Sequence, residues 1–567
     1  MTSPYPDASP GARPGASVPA LRLFGSGHDD RFARDRLPPP EAWPQLLPPP
    51  AGIAYPERLN AASELIDTQL RAGRGCAIAL RGAGLTLTYA ELADRVDRIA
   101  HVLRSDFRLP TGARVLLRGA NHPILAACWL AVLKAGCIAV TTMPLLRARE
   151  LAVIAERAQV SAALCEAGLL EAWNEVCRAR PSCGRVLGYG ATAAGPDRLE
   201  DAMAAHGTPF PAADTAQDDV ALIAFTSGTT GQPKGTLHFH RDCLLIADVL
   251  SRHLLAPTPD DVFIGTPPLA FTFGLGGLLI FPLRAGASAV LEPQWTAESL
   301  LAGIDQHRAS ICLTAPTLYR RLAALARRDT LRSLRITVSS GEMLPADTRA
   351  QWHEATGLEM TECLGSTELL HAFIGCRPGE VRSGATGRVV PGYEAAILDE
   401  HGQPVPPGTI GRLAVRGPTG CRYLDDPRQS VYVQDGWNLT GDTYLMDADG
   451  YFWYQSRTDD MIISAGYNIA GPEVEDVLLT HPDVAECGVV GAPDPGRGQV
   501  VMAFVVCRAP RQGDDAFASE LQDFVREWLA PYKYPRRVCF VPLLPRTENA
   551  KLQRFVLRDW ARTEAAP

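Results

Sequence analysis

Val220-Ala-Leu-Ile-Ala-Phe225, an uninterrupted apolar run, leads directly into Thr226-Ser-Gly-Thr-Thr-Gly-Gln-Pro-Lys-Gly235. The apolar run predicts a buried strand, and the turn-forming residues after it predict a loop at the end of that strand. Such a loop can bind an anion through backbone N–H groups, hydroxyls and an ammonium group, contributed here by Thr226, Ser227, Gly228, Thr229, Thr230 and Lys234. It is not a Walker loop, because Pro233 and Gly235 occupy positions where that pattern needs Gly and Ser or Thr. The stretch therefore predicts a phosphate-binding loop of another kind.

Short apolar runs alternate with helical patterns on both sides of this loop. The helix-like segment Ile124–Leu133 is the clearest helical pattern. The strand-like runs are Arg114–Leu117, Cys137–Thr141, Val262–Gly265, Ala287–Leu291 and Ile311–Leu313. This alternation predicts an α/β fold with parallel sheets covered by helices. Because such sheets deliver loops at one edge, we expect the functional site at the ends of these strands.

A second, smaller unit is predicted after about residue 459. Its predicted elements are a strand Met461–Ser464, a helix Pro472–Leu479, strands Glu486–Val490 and Val500–Val506, and a helix near Phe517–Leu529. A chain of 567 residues also exceeds what one hydrophobic core usually supports. We therefore predict a large domain over residues 51–458 and a small α+β domain over residues 459–567. Residues 1–50, rich in Pro, Gly and Ala, are predicted to be a disordered or extended arm.

Composition and charge exclude several classes of partner. The net charge of −8 disfavours binding to a nucleic-acid backbone or to an anionic membrane, so we expect a small-molecule substrate. The uncharged run Val262–Leu283 is long enough to cross a bilayer, but Gly and Pro residues interrupt it, which favours buried strands and loops. The 14 cysteines are scattered without a C-x-x-C pair, as expected for reduced thiols in a cytoplasmic protein.

Further motifs follow the loop in a specific order. They are Ser340-Gly341-Glu342, Glu362-Cys-Leu364-Gly365-Ser366-Thr367-Glu368, Thr440-Gly-Asp442, Arg457-Thr-Asp459-Asp460 and Pro545-Arg-Thr-Glu-Asn-Ala-Lys551. In this order and spacing they resemble the adenylate-forming superfamily of acyl-CoA synthetases, peptide-synthetase adenylation domains and luciferases, over roughly residues 57–560. Leu364 replaces the usual aromatic residue, and Ala550 replaces the glycine before the lysine. The resemblance implies a large AMP-binding domain with a β-barrel-like portion and a mobile small domain that turns about a hinge at Asp459.

The resemblance also implies roles for individual residues. Lys551, Glu368 and Thr226 would be catalytic, with Glu368 also binding Mg²⁺, for which a carboxylate oxygen is a suitable ligand. Asp442 would accept hydrogen bonds from the ribose hydroxyls of ATP, because a carboxylate is an acceptor only. The implied nucleotide site is Thr226, Ser227, Gly228, Thr229, Thr230, Lys234, Gly341, Glu342, Glu362, Leu364, Gly365, Ser366, Thr367, Asp442, Arg457 and Lys551.

Two further sites are implied with less specific motifs. Gly466, Tyr467, Arg497 and Tyr534 resemble the coenzyme A contacts of medium-chain and aromatic acyl-CoA synthetases. Asn468 stands where some relatives have another arginine. The implied acyl pocket is Phe271, Thr272, Phe273, Gly274, Gly365 and His371. No acidic residue lies between Asp261 and Glu292, so this loop offers no partner for the α-ammonium group of an amino acid.

The acyl-pocket pattern most resembles benzoate and 2-aminobenzoate CoA ligases. The two phenylalanines offer flat apolar walls for an aromatic ring. The hydroxyl of Thr272 either binds an ortho substituent or only fills volume. The predicted function is thus an aryl-CoA ligase that uses ATP, Mg²⁺ and coenzyme A on 2-aminobenzoate or benzoate, with a homodimer left open.

Three alternatives remain open at this stage. The first is a free-standing enzyme that loads an aryl acid onto a carrier protein. The second is a medium-chain acyl-CoA synthetase. The third is a non-catalytic nucleotide-binding protein on the same fold, against which the joint presence of Lys551, Glu368 and Asp442 argues.

Overall fold

The computed structural model describes residues 23–180, 183, 185–190, 197–226, 233–341, 344–457, 460–464, 467–494, 497–529, 532–547 and 552–563, without the side chains of residues 463, 467 and 468. Within these ranges the strands, numbered in chain order, are β1 (Ile78–Gly82), β2 (Leu85–Thr88), β3 (Arg114–Arg118), β4 (Ile138–Thr142), β5 (Ala162–Glu166), β6 (Arg185–Tyr189), β7 (Val220–Thr226), β8 (Lys234–Phe239), β9 (Val262–Gly265), β10 (Ser288–Val290), β11 (Ile311–Thr314), β12 (Ile336–Ser339), β13 (Met360–Gly365), β14 (Ala372–Gly375), β15 (Arg388–Val389), β16 (Glu394–Leu398), β17 (Ile410–Arg416), β18 (Val433–Gln434), β19 (Trp437–Met446), β20 (Phe452–Arg457), β21 (Ile462–Ser464), β22 (Tyr467–Ile469), β23 (Val484–Asp494), β24 (Gly498–Cys507) and β25 (Arg537–Phe540).

The α-helices of the same ranges are α1 (Phe32–Asp35), α2 (Ala61–Leu65), α3 (Asp67–Arg71), α4 (Tyr89–His101), α5 (Pro123–Lys134), α6 (Ala148–Ala158), α7 (Leu170–Ala179), α8 (Leu199–Ala204), α9 (His240–Leu245), α10 (Arg252–Leu254), α11 (Thr272–Leu275), α12 (Phe281–Ala285), α13 (Ala297–His307), α14 (Pro316–Leu325), α15 (Ala346–Thr356), α16 (Gln429–Tyr432), α17 (Gly471–Leu479), α18 (Asp515–Trp528) and α19 (Arg554–Thr563). Short 3₁₀ helices cover Pro40–Ala42, Ala167–Leu169 and Thr367–Leu369, and π-helical segments cover Val102–Asp106, Ile246–Ser251 and Gly276–Ile280.

Two large sheets, both mixed but mostly parallel, form the body of the molecule. One has the strand order β6-β5-β3-β4-β7-β8, in which only the β7–β8 pair is antiparallel. The other has the order β15-β14-β13-β12-β11-β9-β10-β1-β2, with a parallel centre and antiparallel edges. Helix α5 contacts strands of both sheets, and all its residues are buried, which explains why its sequence is apolar on every face. The α/β fold class predicted from the sequence is confirmed.

Two smaller sheets follow along the chain. Strands β16, β17, β18, β19 and β20 form an antiparallel sheet at the C-terminal end of the large domain. Strands β21 to β25 form the sheet of the small C-terminal unit, which has its own apolar core with α17 and α18. The apolar runs of the sequence predicted the positions of several elements of both domains closely. Val262–Gly265 is a strand with the predicted bounds, and the predicted helix Pro472–Leu479 begins one residue earlier, at Gly471.

The N-terminal segment differs from the prediction. From residue 23 onward, where the structure describes it, this segment is packed against the core. Phe32 and Trp43 are buried in the same apolar cluster as Leu116 of β3. The guanidinium of Arg34 donates to the backbone oxygen of Asp218 at 2.9 Å and pairs with its carboxylate. The Pro-rich composition disfavours long helices, as observed, but it did not indicate that Phe32 and Trp43 would be buried.

No helix in the described part of the chain combines the length and the apolarity that crossing a membrane requires. The run Val262–Leu283, which is long enough in sequence, instead forms β9, a turn, α11 and a π-helical segment within the core. The run is buried, as expected, but the expectation of strands and loops holds only for its first part, because residues 272–283 are helical.

Candidate functional site

The predicted phosphate loop joins β7 to β8, and the structure describes both of its ends. Thr226 and Lys234 are directly paired in the antiparallel register of these strands. The hydroxyl of Thr226 is buried and makes no hydrogen bond with any described residue. An unpartnered buried hydroxyl at this point suits a ligand with acceptor oxygens. The intervening candidates Ser227, Gly228, Thr229 and Thr230 lie outside the described residues.

Lys234 and Glu368 come together at the loop, with Tyr423 between them. The ammonium group of Lys234 donates to the hydroxyl of Tyr423 at 2.9 Å, and that hydroxyl donates to Oε1 of Glu368 at 2.6 Å. Lys234 Nζ and Glu368 Oε1 are themselves 3.7 Å apart. Burial and the Glu368 carboxylate together raise the pKa of Tyr423 far above its usual range, so the hydroxyl keeps its proton.

The stem of the loop is also held from α6. Arg157 donates to the backbone oxygen of Pro233 at 2.5 Å and to Oδ2 of Asp426 at 2.7 Å. Asp426, whose side chain is almost fully buried, also accepts from Arg428 at 2.6 Å. Arg157 therefore fixes the position of the residue that precedes Lys234.

The second nucleotide motif forms a tight turn after β13. Gly365 lies so close to the next strand that a Cβ there would be 2.6 Å from the backbone oxygen of His371, so only glycine fits. The side chain of Ser366 accepts from the backbone N–H of Leu369, capping the short helix that carries Thr367 and Glu368. Leu364, one residue earlier, is half-buried against the main core.

Glu362 pairs with a buried arginine. Its carboxylate lies 3.0 Å from the guanidinium of Arg349, with both side chains buried, so it anchors β13 to α15. Burial raises the pKa of Glu362, an effect that Arg349 opposes. Gly341 is exposed with φ +93°, and Ser340 beside it donates to the backbone oxygen of Cys363 at 2.8 Å. Glu342 lies outside the described residues.

Asp442 and Arg457, the residues predicted to bind the ribose, contact each other. They are opposite each other in the register of β19 and β20, and Arg457 donates from NH1 to Oδ1 of Asp442 at 3.0 Å. Gly441 between Thr440 and Asp442 has φ +77°, and a Cβ there would be 2.8 Å from the Arg457 guanidinium. The positive φ is the reason that this turn favours glycine.

His371 lies at the centre of the predicted acyl pocket. It is buried between the rings of Phe273 and Phe281, with centroid distances of 5.8 Å and 4.7 Å. Neither ring nitrogen has a hydrogen-bond partner among the described residues. Burial lowers the pKa of His371 to about 4, so the imidazole is neutral near pH 7. Because Gly365 contacts the His371 backbone, this aromatic region adjoins the second nucleotide motif.

The loop before α11 carries the remaining pocket candidates. The side chain of Asn121 donates to the backbone oxygen of Pro267 at 3.0 Å and accepts from the N–H of Leu269 at 2.8 Å. Phe271 and Thr272 follow this anchored stretch and are half-buried. Gly274 has a packing role, since a Cβ there would be 2.1 Å from the backbone oxygen of Pro268.

The predicted coenzyme A residues lie on the small unit. Arg497 is close to the side chain of Ser464, and Tyr534 accepts from Arg536 at 2.9 Å. The guanidinium of Arg526 lies over the Tyr534 ring at 3.9 Å, and hydrogen bonding from Arg526 lowers the pKa of Tyr534. A site with several arginines suits a phosphorylated ligand. Gly466, Asp459 and Lys551 lie outside the described residues, as does the side chain of Tyr467.

The residues that sequence reasoning missed are Tyr423, Arg157, Asn121, Arg526 and Arg536. Tyr423, Arg157 and Asn121 contact segments that are distant in sequence, so no local pattern marks them. Arg526 and Arg536 are close to Tyr534 in sequence, but arginines are common on protein surfaces, so their presence there does not mark a site.

Two family profiles match this chain. The family profile described as "AMP-binding enzyme" matches residues 68–422, and the profile described as "AMP-binding enzyme C-terminal domain" matches residues 473–551. A benzoate–CoA ligase of Thauera aromatica is 35% identical, over 90% of this chain and 98% of the relative.

Two solved structures are also similar. The anthranilate CoA ligase AuaEII in complex with anthranoyl-AMP is 32% identical, with a TM-score of 0.84 over 90% of this chain and 99% of that chain. A benzoate CoA ligase from Burkholderia xenovorans LB400 is 32% identical, with a TM-score of 0.80 over 88% of this chain and 100% of that chain.

Proposed function

Given that the chain belongs to the family of AMP-binding enzymes and is an acid–thiol ligase of the AMP-forming type, we propose that it activates an aromatic carboxylic acid and transfers it to coenzyme A. In the first step the carboxylate attacks the α-phosphate of ATP, forming acyl-AMP and releasing pyrophosphate. In the second step the thiol of coenzyme A attacks the acyl carbon and releases AMP.

The observation that carries this proposal is the contact between the second nucleotide motif and an aromatic-walled region. Gly365 adjoins the backbone of His371, and the His371 ring lies between Phe273 and Phe281. A flat ring bound there would place its carboxylate next to the nucleotide turn. The neutral imidazole and the absence of acidic residues from the loop sequence before Glu292 suit an aryl acid without an α-ammonium group.

Each nucleotide contact has a proposed role. Thr226 and Thr367 donate to phosphate oxygens, while Asp442 and Arg457 hold the ribose. Lys551 neutralises the charge that develops as the carboxylate approaches the phosphate, since two anions must otherwise meet. In this scheme the small unit turns about Asp459 after the first step, withdrawing Lys551 and presenting Tyr467, Arg497 and Tyr534 to coenzyme A.

Magnesium is proposed to arrive with the nucleotide. Among the described residues no group of three or more His, Cys, Asp or Glu side chains could hold a metal ion. A single carboxylate, Glu368, instead fits Mg²⁺, which binds proteins through one or two carboxylates together with substrate phosphates. When bound, the ion would supply positive charge to the triphosphate.

Among aryl acids we propose 2-aminobenzoate first and benzoate second. Thr272 begins α11, after the anchored loop, and its hydroxyl is the group proposed to hydrogen-bond an ortho amino group. The anthranilate CoA ligase AuaEII supports the first acid, and the Thauera aromatica benzoate–CoA ligase supports the second. Medium-chain acids and a carrier-protein thiol are the competing substrates.

The test measures pyrophosphate release with benzoate, its ortho-, meta- and para-substituted derivatives, and medium-chain fatty acids. Mass spectrometry with coenzyme A as the only thiol should find the aryl thioester. Accumulation of acyl-AMP without thioester would instead indicate a carrier-protein loader. Lys551→Ala should lose adenylate formation by about a thousandfold or more, as expected for removal of a group that stabilises charge in the transition state. Unchanged adenylate formation in that variant would contradict the mechanism.

A further inference from the structure

Tyr423 joins the two charged groups of the phosphate loop region through a single hydroxyl. It accepts from the Lys234 ammonium group at 2.9 Å and donates to the Glu368 carboxylate at 2.6 Å. The direction of these bonds is fixed by chemistry, because an ammonium group can only donate and a carboxylate can only accept. A tyrosine hydroxyl does both at once, whereas phenylalanine at this position would do neither.

The surrounding backbone fixes where this hydroxyl lies. Tyr423 is fully buried and forms an antiparallel bridge with Thr236 of β8. Its backbone N–H donates to Gln429 Oε1 at 2.9 Å, and the N–H of Leu424 donates to the backbone oxygen of Gly235 at 2.8 Å. The strand that begins with Lys234 therefore holds both Tyr423 and its neighbour Leu424. The Tyr423 hydroxyl consequently keeps one position relative to Lys234.

The hydrogen bonds to Tyr423 leave further binding capacity on Lys234 and Glu368. Lys234 uses one of its three N–H donors on Tyr423, and its ammonium group also lies over the rings of Tyr423 and Tyr432, at 4.9 Å and 5.9 Å from their centroids. Glu368 receives the Tyr423 hydroxyl on Oε1, while Oε2 has no hydrogen-bond partner among the described residues. Both groups can thus still meet a ligand that carries anionic oxygens and a hard cation.

We propose that Tyr423 is a positioning residue that holds Lys234 and Glu368 at a fixed separation, so that the triphosphate and its Mg²⁺ are bound as one unit. This inference rests on the proposed function, since it assumes that MgATP is the ligand. Tyr423 touches neither the acid nor the reacting atoms. Its effect is on the coupling between nucleotide binding and metal binding.

The test compares the dissociation constant of ATP with Mg²⁺ and with EDTA, by calorimetry, in the unmodified protein and in Tyr423→Phe. We define the magnesium gain as the dissociation constant with EDTA divided by the dissociation constant with Mg²⁺. A hydrogen bond to a charged group contributes enough that its loss should lower this gain by about tenfold. The KM for MgATP should rise by a similar factor, while kcat with benzoate stays within about threefold.

The matched control is Tyr451→Phe, which removes a buried hydroxyl that donates to the backbone oxygen of Glu380. This variant should keep the magnesium gain of the unmodified protein. A purely structural role for Tyr423 predicts instead that both dissociation constants weaken equally, and that result would overturn the inference. If Tyr423→Phe does not fold, Tyr423→Leu, which can neither donate nor accept, is measured with the same expected loss.

Failure of this inference is distinguishable from failure of the proposed function. If the unmodified protein forms the aryl thioester and Tyr423→Phe keeps the full magnesium gain, only the positioning role is wrong. If the unmodified protein binds MgATP but activates no aryl or alkyl acid, the proposed function is wrong, and the gain in Tyr423→Phe still decides the role of Tyr423.

Discussion

Asp442 and Arg457 are opposite each other on β19 and β20, with 3.0 Å between Oδ1 and NH1. The pair lies where β20 ends and the chain continues toward the small unit. A ribose bound to Asp442 would therefore be held at the boundary between the two units. In the proposed scheme, the nucleotide and the interdomain segment would share this pair.

Replacing Asp442 by asparagine should raise the KM for ATP by about tenfold or more. The amide keeps one acceptor oxygen but loses the charge that strengthens hydrogen bonds from two ribose hydroxyls. Steady-state kinetics with ATP varied would measure the change. Asp449→Asn, which removes an exposed ion pair with Arg382, is the control and should leave the KM unchanged. An unaltered KM in Asp442→Asn would remove this residue from the ribose site.

Gly276→Ala should impair the acyl pocket while sparing the nucleotide site. A Cβ at this position would lie 2.3 Å from Cδ2 of His371, so the ring or the helix must move. We expect a loss of stability of about 1–3 kcal/mol, as for other overpacked cores, and a higher KM for benzoate with little change for ATP. Gly168→Ala is the control, because a Cβ there meets no atom within 4 Å. Equal effects on the two KM values would contradict a specific role in the pocket.

Thr272→Ala should shift selectivity from 2-aminobenzoate toward benzoate. The loss of one neutral hydrogen bond predicts a fall in the ratio of their kcat/KM values of up to about tenfold. Competition between the two acids, read out by mass spectrometry of the thioesters, measures that ratio directly. Thr272→Ser keeps the hydroxyl and should keep the ratio. If alanine leaves the ratio unchanged, Thr272 only fills volume.

Arg157→Gln should loosen the stem of the phosphate loop. It removes the charge-assisted bond to Asp426 and weakens the hold on the backbone oxygen of Pro233. Because Arg428 still pairs with Asp426, we expect a loss of about 1–3 kcal/mol in urea unfolding, together with a higher KM for ATP. Arg178→Gln, which breaks an exposed ion pair with Glu171, should change neither quantity. A normal KM for ATP in Arg157→Gln would exclude a role in nucleotide binding.

The free energy of unfolding should fall as the pH is lowered from about 6.5 to about 4. Burial lowers the pKa of His238 and of His371 to about 4, against about 6.5 in an unfolded chain. Within this window the unfolded state binds more protons, so protons favour unfolding by up to about 1.4 kcal/mol per pH unit for each histidine. Urea titrations at several pH values would measure the slope. His371→Phe should reduce it, and an identical slope would show that His371 is not buried in neutral form.

Features of the fold that depend on residues close together in the sequence could be predicted from it. Val262–Gly265 was located with its bounds because a buried strand is recorded in consecutive residues. Thr226, Lys234, Glu368 and Asp442 were proposed as site residues because they lie in motifs whose order and spacing resemble those of the family.

The rest depended on contacts between distant segments. Arg34 binds Asp218 across 184 residues of sequence, so the folding of the N-terminal segment onto the core left no local pattern. Tyr423 and Arg157 were missed for the same reason, because each acts on residues of another segment. Glu362 was assigned to the nucleotide from its motif, but its partner Arg349 could be recognised only once α15 was placed against β13.

Asn121 holds the backbone between Pro267 and Leu269 with one donor and one acceptor, much as a neighbouring strand would. Asn121, which lies just before α5, thus sets the path of the loop that precedes α11 from outside that loop. We therefore expect exchanges of the side chains at positions 271–273 to leave the backbone at residues 267–269 in place. A combinatorial library confined to those three positions is therefore a sound starting point for changing which acids the protein accepts while keeping its nucleotide handling constant.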